Sequence, residues 1–96
     1  MDDVAKRNTI YTLEIPEKFR HLLDKLGKSN PEIVSRIRKQ AEKLAQFPFL
    51  GKPMRNILRN YRRVHIDPFV LLYEVADNKV RLIDFDHHDK IYKKYS

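Results

Sequence analysis

Residues 61–85 read YRRVHIDPFVLLYEVADNKVRLIDF, and this stretch decides the fold. In 61–66, Arg62, Val64 and Ile66 alternate with Tyr61, Arg63 and His65, the period-two pattern of a strand with one apolar face. Residues 70–75 (VLLYEV) are nearly continuously apolar and 80–85 (VRLIDF) alternate again, so three successive strands are expected. Asp67-Pro68 and Asp77-Asn78 supply the turns between them, the second short enough for a hairpin. Strands joined by such short turns run antiparallel.

Toward the N-terminus, residues 9–15 (TIYTLEI) place Ile10, Thr12 and Glu14 on one side and Tyr11, Leu13 and Ile15 on the other, a further strand that Pro16 stops. Phe19, Leu22, Leu23 and Leu26 then fall on one stripe of a short helix from about Glu17, with Gly27 where a helix C-terminus favours a left-handed residue. Asn30-Pro31-Glu32 starts a second helix: Asn can cap free backbone N–H groups, Pro fits the first helical position, and an acid suits the positive end. Ile33, Val34, Ile37, Ala41, Leu44 and Ala45 give it an apolar face as far as Pro48. The short connection between Gly27 and Pro31 makes the pair an antiparallel hairpin. Residues 49–54 (FLGKPM) read as a loop.

The order β-α-α-β-β-β predicts an α+β domain, a two-helix hairpin packed on one face of a small antiparallel sheet whose other face is open or nearly so. Ile33, Ile37 and Leu44 are expected to pack against Val64, Ile66 and Leu72. With 96 residues, 42% hydrophobic and ten of them aromatic, the chain can build one core, so 1–96 is expected to be a single domain with 1–8 as a flexible N-terminus. No segment reaches the roughly 18 apolar residues of a membrane span, and MDDVAKRNTI lacks the apolar run of a signal peptide, which predicts a cytoplasmic protein with no membrane partner. The absence of cysteine excludes disulfides, thiolate zinc sites and a cysteine nucleophile. Two glycines, Gly27 and Gly51, do not make a phosphate-binding glycine loop.

Twenty Lys and Arg against 13 Asp and Glu leave a formal charge of +7, and the excess is uneven. Lys52, Arg55, Arg59, Arg62 and Arg63 form a run of five cations without an acid, suited to a polyanion or an acidic protein. If Val64 and Ile66 face the helices, Arg63 and His65 project from the open face with Tyr61 beside them. Such a row can hold a phosphate, move a proton and stack a base, or it is an ordinary polar sheet face. The run Asp84-Phe85-Asp86-His87-His88-Asp89 offers ligand types for a metal, but adjacent strand residues diverge and no second His-rich segment completes a set. No metal or other cofactor is therefore expected. One of His87 or His88 is expected to face the open surface as a proton carrier or phosphate donor.

Several segments in this order resemble the RelE/ParE toxin superfamily: Phe49-Leu50-Gly51-Lys52-Pro53, Tyr61-Arg62-Arg63-Val64, Leu72-Tyr73-Glu74-Val75, and a closing Asp86-His87-His88-Asp89-Lys90-Ile91-Tyr92 similar to the family's G-H-R-x-x-V-Y ending. The resemblance extends over nearly the whole chain from Thr9. It implies a toxin held inactive by a cognate acidic, RelB-like antitoxin and touching operator DNA only through that complex. In the RelE branch it implies an endoribonuclease that cuts messenger RNA in the ribosomal A site without a metal; in the ParE branch, a poison of DNA gyrase. Carried over by position, Arg63 becomes the phosphate-stabilising cation and Tyr92 the aromatic that stacks on a base. His87 matches the family's His, and with His88 and the strand-face His65 it completes the expected catalytic set. Lys52 and Arg59 become guides for the RNA backbone, and Arg55, Arg62, Arg81, Lys90 and Lys93 are further cations expected to bind the RNA. Two positions depart from the pattern: His88 stands where many members have Arg, and Val70 follows Phe69 where many active RelE toxins carry Arg. The Val70 departure leaves open a member that binds only its antitoxin and operator DNA, and a gyrase-directed toxin that grips a protein with its helical hairpin is the other alternative.

Overall fold

The structure is a computed structural model that describes residues 11–55 and 60–95. Strand β1 (Thr12–Glu14) leads into helices α1 (Glu17–Ser29) and α2 (Pro31–Gln46); β2 (Lys52–Pro53), β3 (Tyr61–Ile66), β4 (Phe69–Ala76) and β5 (Lys79–His87) follow, and α3 (His88–Lys94) closes the chain. The first residues of the strand expected over 9–15, and the N-terminus 1–8, lie outside the described residues, as does Arg59.

The α+β class holds, with a helical hairpin on a five-stranded sheet of order β1-β5-β4-β3-β2. The sheet is mixed rather than wholly antiparallel, because β1 runs parallel to β5 with Leu13 opposite Val80. The two helices carry the chain back along the sheet before β3, so β1 takes the far edge, beside the last strand. At the hairpin turn, Asn30 caps α2 as expected, its side chain accepting a bond from the Ile33 amide at 3.2 Å. Gly27 does not end α1: the helix runs on to Ser29, Asn30 serves as its C-cap, and no glycine has a positive φ. Between β4 and β5, Asp77 and Asn78 both take positive φ, the geometry of a tight hairpin turn.

The helix side of the sheet holds the main core, in which Phe19, Ile33, Ile37, Ala41 and Leu44 meet Val64, Ile66, Leu71, Tyr73, Val80, Leu82 and Phe85. Leu72 is on the other face, where it packs with Met54, Val70 and Ile91. Strand alternation explains this: Arg63 pairs with Leu72 and Val64 with Leu71, so Leu71 shares the helix side with Val64. The far face is therefore not open. Helix α3 lies across it, and Val70, Leu72 and Ile91 are wholly buried.

Two local devices shape the sheet. A register shift opposite Leu72 and Tyr73 pairs Leu72 with Asp84 but Tyr73 with Leu82. The extra residue, Ile83, lets Leu82 and Phe85 both face the helices and turns Asp84 and Asp86 to the far side. The second device is Tyr73, buried beneath the loop before β2. Its hydroxyl donates to the Pro48 carbonyl at 2.8 Å and accepts from the Gly51 amide at 2.9 Å. Gly51 has no room for a side chain, since a Cβ would stand 2.5 Å from the Arg63 carbonyl oxygen. Tyr73→Phe keeps the ring and leaves both loop groups unpaired, so it is expected to destabilise the fold by about 1–3 kcal/mol for each group that water does not reach. Denaturant unfolding checks it, a wild-type midpoint counting against the clamp.

Candidate functional site

Lys52 and Arg63 are directly paired across β2 and β3, and the same row continues to Leu72 and Asp84. The row next to it is His65, Val70 and Asp86. On this face the charges divide. The β5 side is acidic and neutralised within the molecule: Asp84 accepts from Lys94 and Tyr95, each at 2.9 Å, and Lys94 also lies 3.5 Å from Asp86. The β2–β3 side carries Lys52, Arg63 and His65. Among the described residues no ion pair holds Lys52, Arg63, Lys90 or Lys93.

Arg63 is the centre of the arrangement. Its Nη1 donates to the Pro53 carbonyl at 2.8 Å and its guanidinium carbon lies 5.5 Å from the centre of the Tyr92 ring, a cation–π contact. Its Nε is buried and has no hydrogen-bond partner among the described residues. A guanidinium fixed by one donor with others unused is preorganised for an anion. His88 stands one helical turn before Tyr92, the rings 6.1 Å apart, with its Nδ1 3.0 Å from Asp89. His65 projects from the same face, exposed and 4.0 Å from Asp67.

Helix α3 brings Tyr92 to Arg63, with His88 one turn before it, and Asp84 holds that helix at its far end. Burial pushes the Asp84 carboxyl up, but bonds from Lys94, Tyr95 and the Phe85 amide outweigh it and hold the group below its ordinary value of 3.8. A depressed carboxylate stabilises the fold above its unfolded pKa, and the contribution is lost as pH falls through the lower folded value. Acidification through that range is expected to free the last turn of α3, read as loss of the Tyr61–Tyr95 edge contact in proton NMR. In Asp84→Asn this acid step should be absent; a step that persists unchanged assigns it to another group.

Other sequence candidates are placed elsewhere. His87 faces the helix side, its ring 5.2 Å from Phe69, because it follows the register shift and pairs with Phe69 in the row of Ile66. Arg62 points to the helix side as well, donating to the Gly51 carbonyl at 2.6 Å and stacking over Phe49. Arg81 is held between Glu14 at 2.6 Å and Glu74 at 2.9 Å, and its bond to Glu14 pulls that carboxyl below its ordinary range. These two arginines brace the loop and the β1 edge. Val70 is completely buried under α3, so that position presents no charge. Arg55, Lys90 and Lys93 are exposed. Met54, Lys94 and Tyr95 take part in the site without having been singled out from the sequence, and Asp84, weighed there only as a metal-ligand type, instead anchors α3 through Lys94 and Tyr95. The continuous apolar run 70–75 was the signal for a cover on the far face. Among the described residues no group of three or more His, Asp or Glu is placed to hold a metal, and no helix is long and apolar enough to cross a membrane.

The family model of the ParE toxin of type II toxin–antitoxin systems matches residues 13–92. RelE4 of Methanocaldococcus jannaschii, a relative that carries a toxin's name, is 41% identical over 88 residues, 88% of this chain and 94% of the relative. An uncharacterized protein of Methanosarcina mazei is 34% identical over 86 residues, 86% of this chain and all of the relative. In three dimensions the chain resembles one chain in the structure of the toxin–antitoxin complex RelBE2 of Mycobacterium tuberculosis, with a TM-score of 0.69 and 28% identity, covering 81% of this chain and 98% of the matched one. Fold and comparisons together define the class, a toxin of a type II toxin–antitoxin system. The chain belongs to the RelE/ParE superfamily of such toxins.

Proposed function

We propose that the chain is a ribosome-dependent endoribonuclease that cleaves messenger RNA in the A site and so inhibits translation. A ribose 2′-hydroxyl attacks the adjacent phosphodiester, which requires a base for that proton, an acid for the departing 5′-oxygen, and a cation for the charge growing on the phosphorus oxygens. The observation that carries the reading is the preorganised Arg63 guanidinium, paired across the strands with Lys52 and covered by the Tyr92 ring. Arg63 stabilises the phosphate charge. Tyr92 stacks on a base, and His88 or His65 moves the proton, imidazole being able to give or take one near neutral pH. Lys52, Arg55, Lys90 and Lys93 follow the RNA backbone.

The same cationic face fits an acidic antitoxin, whose carboxylates would neutralise Arg63 and Lys52 until the toxin is released. The likeness to a toxin–antitoxin complex supports that partner, and operator DNA would be met only through it. The cytoplasm is where such a toxin meets ribosomes. Primer extension on messenger RNA programmed into ribosomes tests the reading, with a defined cut in the A-site codon as the expected result. One observation favours a second reading, inhibition of DNA gyrase: the buried Val70 leaves this face one cation short of many RelE toxins. In that case expression would raise a DNA-damage response and leave messenger intact, and a harmless protein would be one that only binds its antitoxin.

A further inference from the structure

We propose that the cleft where β2 ends is a nucleobase pocket that selects the RNA sequence cut, an inference that rests on the endoribonuclease reading above. Strand β2 pairs only with Arg62 and Arg63, so among the described residues the edge of β3 from Val64 onward has no strand beside it. A cavity of about 290 Å³ occupies the gap, between Gln40 of α2 and the edge at Val64 and His65, with Leu50 and Gly51 across from them. Its volume is near the lower end for small-molecule sites and suits one base.

The lining has the chemistry of a base site. Leu50 and Val64 give an apolar wall, Leu50 being, with Phe47 and Phe49, one of the large apolar side chains left exposed among the described residues. The Gln40 amide is the side chain of the cleft whose donor and acceptor stand side by side in one plane; the two ring nitrogens of His65, the other donor–acceptor there, point apart. An amide of this kind matches the N6 amino and N7 of adenine, so adenine is the base it fits. Lys52 and Arg63 also line the cleft. A nucleotide splayed out of a single strand can therefore place its base in the cleft and its phosphate on the two cations.

Mapping cut sites on ribosomes over many messages tests this. Wild type is expected to favour adenine at one codon position. Gln40→Ala and Gln40→Glu should each lower that preference, by roughly 5- to 150-fold if the amide pairs with both atoms, while total cutting persists. Gln40 is partly buried on a helix but outside the core, and Ala is well tolerated there, so the fold should survive. Cutting with the same preference in wild type and both variants overturns the pocket and leaves the endoribonuclease standing. A wild type that leaves every message intact overturns both.

Discussion

Arg63→Ala is expected to slow cleavage of ribosome-bound messenger by about 10²–10³-fold, the usual loss when one preorganised donor to a developing oxyanion is removed. The effect should fall on the chemical step, because charge on the non-bridging oxygens is greatest in the transition state. Stability should change little by comparison, since the side chain's hydrogen bonds run to the Pro53 carbonyl and, more weakly, the Met54 sulfur. Tyr92→Phe belongs in the same experiment: it keeps the ring over Arg63 and removes only the hydroxyl, so a stacking role predicts that cleavage survives. Single-turnover rates decide it. Wild-type cutting by Arg63→Ala would place the chemistry away from this face.

The largest loss of stability is expected from the helix layer. Ile37 is 1% exposed and Leu44 fully buried between α2 and the sheet. Truncating either to Ala removes its apolar contacts and leaves a cavity, which should cost about 2–5 kcal/mol. Leu72→Ala should cost as much, although it empties the opposite layer beneath α3. A shift of the denaturation midpoint at unchanged slope measures these effects; shifts below 1 kcal/mol at Ile37 and Leu44 would contradict the packing.

Much of the architecture was legible because local rules were obeyed. The Asn30 cap, the apolar stripe of α2 and the alternation in β3 each state one structure, and Arg63 and His65 came out on the face that alternation assigned. What escaped depended on partners distant in sequence. The parity of β5 cannot be read from VRLIDF, since strict alternation sets Phe85 opposite to Leu82 and only the extra residue Ile83 brings them together. That shift moved Asp84 to the site and His87 away from it. Helix α3 is seven residues long, with Ile91 as its one buried residue, too little for a period to show. The fate of Arg81 turned on Glu14, 67 residues earlier, which no local pattern reveals.

The parallel pairing of β1 with β5 has a consequence for how the molecule is made. The hairpins of β3, β4 and β5 join neighbours in the chain and can form as soon as they are synthesised. Thr12–Glu14 is made well before its partner and has no strand to lie against until Lys79–Arg81 has followed it. Closing so long a loop comes late in folding, after the local contacts are in place. Until then Leu13 has no Val80 beside it, and Arg81 has no Glu14. Strand β1 is thus made before its partner yet is among the last to be placed, and a nascent chain that stops before β5 lacks both the complete sheet and the strand that carries Asp84 to the cationic face.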